Sequence, residues 1–378
     1  MAGEVASFGF ESLQALKGPF DGIDANGCFF LPVRLGMAGR IPVWACFSSG
    51  CTTASPVLGH GWRIPLLESR LVPISEDWYS LLQPDGTERC FRRERDDPER
   101  LYGGRTWSGR IKGDVIRLTA DPQDGTTPLE LVYRQGRLVR MDAPEGLYEF
   151  FYAGRAIEHV ALKGAAVVRV MPDGRDANLT TLQIGSSRLV CRRANASLRV
   201  SAESGECAER PTLVELKRPD GVKTFAYSGD GVTAGLDAGT VVAEWDASTG
   251  AARRVNGWRF AVTPVHGALP RIARTGPDGR REAYSQDDAK GLRTFEETNG
   301  TVHTWRRFTS GALVGKVRSY ERACMGVVRE RIELSYDEQR RIVYCLIESR
   351  EGAETVRTER WFDASGRMTR ERKSGGAS

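Results

Sequence analysis

The chain has 378 residues, of which 40% are hydrophobic and 27% charged, a balance typical of a folded protein and sufficient for two or three domains or one extended repeat array. Its 54 basic and 49 acidic residues are interspersed and leave a net charge of +5, which argues against a nucleic-acid partner because such proteins usually cluster their basic charge. The 42 glycines indicate many tight turns.

Residues 1–27 are predicted to form an N-terminal arm. An apolar face from Phe8 to Leu16 suits a short helix that Gly18-Pro19 would end. No basic region followed by an apolar run marks a standard secretory signal, and no stretch reaches the roughly 18 apolar residues of a membrane span. The location is therefore left open between the cytoplasm and export by a non-Sec route, as a secreted or cell-surface protein.

Residues 28–120 are predicted to form a β-rich module. Two strands, Phe29–Leu35 and Ile41–Phe47, precede the segment Gly59-His60-Gly61-Trp62. The two glycines around His60 indicate a backbone that bends or is approached closely by another segment. We expect a turn or packing role for His60 rather than a catalytic or ligand-binding one.

The tripeptide Pro-Asp-Gly recurs between apolar segments and predicts hairpin turns. Proline presets φ for the first turn position, and glycine accepts a positive φ without steric cost. The copies are Pro84–Gly86, Pro172–Gly174, Pro219–Gly221 and Pro277–Gly279.

Residues 121–372 are predicted to form a repeat array of short strands with a loose period of about 18–26 residues. Strand Val328–Tyr336 alternates between two faces, with Val, Glu, Ile, Leu and Tyr on one and Arg, Arg, Glu and Ser on the other. The Gly-, Ser- and Ala-rich segments 200–212 and 229–240 are predicted to be longer loops. Residues 373–378 are predicted to be a flexible tail.

One unit recurs near the end of the array: an aromatic residue, Asp, turn residues, Arg and an aliphatic residue. Its two clearest copies consist of Tyr336, Asp337 and Arg341, and of Phe362, Asp363, Gly366 and Arg367. We expect these aspartates to cap the turns and to pair locally. The weaker alternative is a calcium or sugar site, since loop oxygens are the ligands that calcium prefers.

These units resemble the YD repeat of bacterial Rhs-type proteins and of related teneurin and toxin-complex shells, whose core reads roughly Tyr-Asp-x-x-Gly-Arg-Leu. Leu31–Leu35 and Gly59–Trp62 resemble the segment that precedes the repeats in that family, where an extended strand leads to a Gly-x-Gly-Trp element. The resemblance covers most of residues 28–370. It implies a spiralling antiparallel sheet that curls into a hollow shell, which in the large members of the family encloses a C-terminal toxin. Some members are also associated with cell-surface contact and carbohydrate binding.

The chain departs from that pattern at its C-terminal end. The last repeat ends near Met368, so we expect no toxin domain here, and the family's self-cleaving core motif is missing. Enclosure of cargo by this chain alone is not expected.

Motifs of enzyme chemistry are missing from the sequence. It contains no G-x-S-x-G, no G-x-x-x-x-G-K-[ST] and no H-E-x-x-H. The four histidines and eight cysteines lack metal-ligand spacing, so we expect no metal and no cofactor, while the even cysteine count leaves disulfides open. The eight tryptophans would form sugar-stacking platforms if exposed, but strand positions favour burial.

The expected fold is all-β, with a curled antiparallel sheet of YD-type hairpin repeats forming a partial shell or barrel. The expected function is that of a non-enzymatic scaffold, a shell fragment or interaction module linked to a polymorphic toxin or secretion system. Its expected partner is another protein chain or a second copy, bound through open sheet edges. The alternative is an extracellular protein that binds or processes carbohydrate; a glycosidase would need two carboxylates facing each other across a groove.

Overall fold

The computed structural model describes residues 18–83, 88–103, 107–120, 129–144, 146–154, 156–201, 204, 206–266, 268–311, 313, 315–339, 341–351 and 354–376. Within these ranges the chain forms antiparallel strands and one four-residue helix, α1 (Pro65–Glu68). The prediction of an all-β antiparallel fold is confirmed. The helix proposed between Phe8 and Leu16 lies outside the described residues.

The described chain divides into two compact units. Unit 1 contains residues 18–24 and 28–252, and unit 2 contains residues 25–27 and 253–376. The boundary predicted at residue 120 lies inside unit 1, where Ala120 and Leu129 are paired on adjacent strands.

Unit 1 contains the following strands: β1 (Phe30–Ala38), β2 (Ile41–Ser48), β3 (Ala54–Ser55), β4 (Gly59–His60), β5 (Trp62–Arg63), β6 (Arg70–Pro73), β7 (Trp78–Leu82), β8 (Glu88–Arg93), β9 (Arg100–Tyr102), β10 (Trp107–Lys112), β11 (Val115–Ala120), β12 (Leu129–Arg134), β13 (Arg137–Ala143), β14 (Gly146–Ala153), β15 (Ala156–Leu162), β16 (Ala165–Pro172), β17 (Leu179–Ile184), β18 (Ser187–Arg199), β19 (Cys207–Arg218), β20 (Gly221–Tyr227), β21 (Gly231–Leu236) and β22 (Gly239–Trp245).

Strands β6 to β13 close into a barrel within unit 1. Each strand pairs with the next in sequence, and β13 returns to β6 through Arg137 and Arg70. The Leu71 amide donates to the Gly136 carbonyl at 2.9 Å across this closure. Inward-facing side chains fill the interior, as in other barrels of this size. Those that are at most 2% exposed include Leu71, Leu81, Phe91, Leu101, Leu118, Leu131 and Met141.

A second core of unit 1 lies around the three-stranded sheet β1-β2-β5. Phe47 of β2 contacts the rings of Trp62, Tyr227 and Trp245, with centroid distances of 5.6, 5.6 and 5.8 Å. Strand β4 pairs with β19 through Gly59 and Thr212. The N-terminal strands are therefore held by strands that come much later in the chain.

Unit 2 contains β23 (Ala252–Val255, whose first residue belongs to unit 1), β24 (Trp258–Val265), β25 (Ala268–Thr275), β26 (Arg281–Asp287), β27 (Leu292–Glu296), β28 (Thr301–Arg307), β29 (Val317–Cys324), β30 (Val327–Tyr336), β31 (Ile342–Glu351), β32 (Glu354–Phe362) and β33 (Met368–Gly376).

Strands β23 to β33 pair antiparallel, each with its sequence neighbour. The alternation predicted for Val328–Tyr336 is present in β30: Ile332, Leu334 and Tyr336 are half-buried, whereas the residues between them are exposed. The apolar face is only partly covered within this unit.

Proline-aspartate-glycine turns connect paired strands, as predicted. Pro172–Gly174 lies between β16 and β17, Pro219–Gly221 between β19 and β20, and Pro277–Gly279 between β25 and β26. The copy at Pro84–Gly86 lies outside the described residues, although the strands that flank it pair through Leu82 and Glu88.

Three segments predicted to be irregular contain strands. Cys207 to Thr212 belongs to β19, the segment 229–240 contains β21 and the start of β22, and Lys373 to Gly376 continues β33. In β21 and β22 the small residues Ala234 and Ala243 are buried, at 0% and 1% exposure. Their small size suits a closely packed face, which composition alone does not distinguish from a loop.

Candidate functional site

The Gly59–Trp62 segment is a packing element of unit 1. Gly59 has φ +87°, and a Cβ atom there would lie 2.3 Å from the Pro211 carbonyl oxygen. Gly61 has φ +77°, and its Cβ would lie 2.6 Å from the Phe47 ring. Both positions therefore require glycine, because β4 meets β19 at one and an aromatic ring covers the other.

The polar atoms of His60 and Trp62 are engaged by the surrounding strands. The His60 ring Nε2 lies 2.6 Å from the Arg199 carbonyl, and the Thr212 hydroxyl donates to the His60 carbonyl at 2.8 Å. Trp62 is fully buried, and its indole N–H donates to the Tyr227 hydroxyl at 2.8 Å. These contacts suit the packing role expected for His60.

The repeat aspartates organise the turns in which they lie. Oδ1 of Asp363 accepts from the Ser365 amide at 2.8 Å, the Ser365 hydroxyl at 2.7 Å and the Arg367 amide at 3.0 Å. Oδ1 of Asp337 accepts from the Arg341 amide at 2.9 Å, and its Oδ2 pairs with the Arg341 guanidinium at 2.7 Å. These hydrogen bonds hold the pKa of each carboxyl below its ordinary value.

Neighbouring repeats are joined by the same residues. The Arg341 guanidinium donates to the Ala364 carbonyl, in the turn between β32 and β33, at 3.2 Å. The Tyr336 hydroxyl reaches back to the Val317 carbonyl at 2.7 Å. In unit 1, Tyr152 and Tyr227 donate in the same way to Leu138 and Leu213, at 2.9 and 3.0 Å. The aromatic hydroxyl is therefore a recurrent link to an earlier strand.

Gly366 completes the last turn. It has φ +78°, the left-handed conformation that glycine adopts readily, and its amide donates to the Asp363 carbonyl at 3.0 Å. Phe362 precedes this turn at the end of β32.

The tryptophans do not form an exposed row. Trp62, Trp107 and Trp245 are buried, and only Trp78, at 42%, is among the exposed large hydrophobic side chains. The half-buried Trp258 and Trp361 have Arg274 and Arg370 over their rings, at 4.2 and 4.8 Å from the centroids. Most of these rings are therefore already covered by protein atoms.

All eight cysteines lie in described ranges, and none of them forms a disulfide. Burial raises the pKa of the Cys28 and Cys191 thiols to about 12, which keeps both protonated and poorly nucleophilic at neutral pH. Across the described ranges, no three His, Cys, Asp or Glu side chains come together as ligands for a metal ion.

A basic cavity of about 280 Å³ lies in unit 2 between the turn that joins β26 to β27 and the loop that joins β28 to β29. It is lined by four cationic side chains, an aromatic ring and two hydroxyl groups: Lys290, Arg306, Arg307, Arg318, Phe308, Thr309 and Ser310. A register shift between Arg306 and Arg307 interrupts the pairing of β28 with β29. Such irregularities re-aim side chains, which is how residues of neighbouring strands converge on one cavity.

Sequence reasoning missed this cavity. The basic runs that are visible along the chain, Arg92–Arg95 and Arg370–Lys373, are both interrupted by Glu, whereas the cavity's basic residues come from separate segments. The one sequence signal was the adjacent pair Arg306-Arg307 at the end of a strand.

A second cavity of about 380 Å³ lies in unit 1 and includes Arg34, Arg218 and Asp220. Its two guanidinium groups are engaged: Arg218 donates to the Arg34 carbonyl, and Arg34 contacts the Met37 sulfur at 2.8 Å. Asp220 is the one carboxylate among its described lining residues.

Glu68 is a half-buried carboxyl with defined partners. Its Oε1 accepts from the Ser55 hydroxyl at 2.5 Å and from the Ile64 amide at 3.0 Å. Burial raises the pKa of Glu68 from 4.5 to about 7, against the lowering effect of these two hydrogen bonds.

The free energy of unfolding is expected to fall by up to about 3 kcal/mol as the pH rises from about 4.5 to about 7, because over this interval the folded chain holds a proton on Glu68 that the unfolded chain has lost. Glu68→Gln keeps an acceptor oxygen and removes the titration, so its unfolding free energy should lack this decrease. Urea unfolding at pH values from 4 to 8 measures the difference. Glu76→Gln, at an exposed position, is the matched control, and an E68Q profile identical to the wild type would contradict the assignment.

Comparisons with known proteins add no relative: no protein-family model and no curated protein sequence matches the chain. The resemblance to the YD repeat therefore rests on the motif residues themselves. In the described residues, no helix has the length and apolar character needed to cross a membrane.

Proposed function

We propose that this chain is a non-enzymatic β-repeat scaffold of the YD/Rhs type, acting as a shell fragment or as an interaction module for another protein chain. The observation that carries the proposal is that the side chains of the repeat residues bond to the protein's own turns and backbone. The Asp363 carboxylate, the Tyr336 hydroxyl and the Arg341 guanidinium all bond to turn or backbone atoms. The Tyr336 bond runs to the preceding strand, and the Arg341 bond runs to the turn of another hairpin. These side chains stabilise the sheet rather than facing a ligand.

The cavities favour this function over carbohydrate processing. A glycosidase needs two carboxylates about 5–10 Å apart across a groove. One carboxylate lines the cavity of unit 1 and none lines the basic cavity of unit 2, within the described residues. Carbohydrate binding through a row of aromatic rings is also less favoured, because most of the tryptophans are covered.

Asp363→Ala tests the structural role of the repeat residues. Loss of the three hydrogen bonds to Oδ1 should raise the amide exchange rates of Ser365 and Arg367 about fivefold. Asp363→Asn keeps an acceptor oxygen and should remain near the wild-type rates. Hydrogen exchange measured by NMR, with and without calcium chloride, checks both variants.

The measurement with calcium chloride distinguishes a structural role of the repeat aspartates from a role as cation ligands. If the repeat aspartates are structural, calcium leaves the exchange rates of the wild-type turn unchanged. Protection of Ser365 and Arg367 by millimolar calcium, lost in Asp363→Ala, would overturn the structural assignment in favour of a cation site.

A further inference from the structure

The basic cavity of unit 2 is unusual in its charge. Lys290, Arg306, Arg307 and Arg318 line it, and no carboxylate belongs to its described lining. Lys290 pairs with Asp287 at 2.9 Å, while Arg306 and Arg318 are exposed and form no ion pair with any described residue. Positive charge is therefore concentrated where the rest of the chain intersperses both signs.

Arg307 is held in this cluster at an energetic disadvantage. Its Nε is buried and has no hydrogen-bond partner among the described residues, and the same is true of Nε in the nearby Arg293. One Arg307 Nη donates to the Gly315 carbonyl at 3.1 Å. Burial lowers the pKa of Arg307, and repulsion by Arg293 lowers it further. Buried guanidinium atoms without partners mark a position where an added acceptor would be stabilising.

The carboxylates close to the cluster do not neutralise it. Asp287 is engaged by the Lys290 ammonium and amide, at 2.9 and 3.1 Å. Asp288 interacts electrostatically with Arg307 and accepts from the Gln286 side-chain amide at 2.6 Å. Among these groups, two carboxylates are thus outnumbered by five basic side chains in or beside the cavity: Lys290, Arg293, Arg306, Arg307 and Arg318.

We propose that unit 2 binds a phosphate-type oxyanion in this cavity, either free or as the phosphate group of a small molecule. Guanidinium groups match the paired oxygens of phosphate and sulfate in a bidentate manner. The Thr309 and Ser310 hydroxyls add neutral donors at the same wall, and a volume of about 280 Å³ holds a small phosphorylated compound. This site is independent of the scaffold function proposed above.

Isothermal titration of the full chain at low salt, with inorganic phosphate, pyrophosphate, glycerol phosphate and sulfate, tests the proposal. We expect saturable one-to-one binding that is tightest for the anions of highest charge. Arg318→Ala should weaken the affinity at least tenfold. Arg318→Lys should weaken it less, because lysine retains the positive charge but lacks the planar guanidinium group. Arg318 has no partner among the described residues, so its loss should leave folding unchanged.

Arg329→Ala is the matched control. Arg329 is an exposed strand residue of unit 2 without an ion pair among the described residues, and its removal changes the net charge by the same amount. Affinity preserved in Arg329→Ala but lost in Arg318→Ala supports the site. Equal weakening in both variants, or no saturable binding by the wild type, overturns it. Preferential binding of glycerol phosphate over inorganic phosphate assigns the ligand to the phosphomonoesters.

Discussion

Replacing Gly59 by alanine is expected to lower the free energy of unfolding of unit 1 by at least about 3 kcal/mol. The new Cβ would lie 2.3 Å from the Pro211 carbonyl oxygen and 2.9 Å from the Thr212 Cα, both backbone atoms of β19. Neither can move without separating β4 from β19. Urea unfolding followed by tryptophan fluorescence measures the loss.

Gly164→Ala is the control for the steric part of this effect. Gly164 also has a left-handed backbone, with φ +81°, but a Cβ there meets no atom within 4 Å. The Gly164→Ala substitution should therefore lower the free energy of unfolding by only about 1 kcal/mol, the strain of an alanine in the left-handed conformation. Similar losses for the two variants would show that β4 does not approach β19 as described.

Trp62→Phe is expected to lower the free energy of unfolding by about 2–4 kcal/mol. The indole is fully buried, packs edge-on against Phe225 at 4.9 Å between centroids, and donates to the Tyr227 hydroxyl. Phenylalanine leaves a cavity and removes that hydrogen bond. Chemical unfolding monitored by circular dichroism avoids the loss of a fluorophore.

Two further variants separate packing from hydrogen bonding. Trp78→Phe removes the same group from an exposed position, at 42% exposure, and should change stability by less than about 0.5 kcal/mol. Tyr227→Phe combined with Trp62→Phe forms a double-mutant cycle, with an expected coupling energy of about 1 kcal/mol. Additive effects would argue against a direct bond between the two side chains.

Local patterns predicted much of this fold, because its turns and strands depend on chemistry within a few residues. Residues that are close together in the sequence predict the Pro-Asp-Gly turns, the alternation in β30 and the close approach of another segment at the glycines flanking His60. The small residues of β21 and β22 were misleading, since a segment such as Gly231–Leu236 has loop-like composition. Its burial depends on Ala243 and other residues of a neighbouring strand, which local composition does not reveal.

The basic cavity was beyond prediction for a different reason. Lys290 lies in one turn, Arg306 and Arg307 end a strand, and Arg318 lies beside a break in register. Their convergence depends on strand pairing and on where that pairing shifts. A charge pattern read along the chain shows mixed signs, because the concentration of charge exists only across strands.

The pairing of β4 with β19 has a consequence for the order in which unit 1 forms. Most strands pair with the preceding strand, so hairpins can assemble soon after they are synthesised. Gly59, Trp62 and Phe29 cannot complete their contacts until Thr212, Tyr227 and Trp245 are available. The segment from Phe29 to Trp62 thus remains without its core contacts while the barrel strands are synthesised, and a chaperone would have most to protect during that interval.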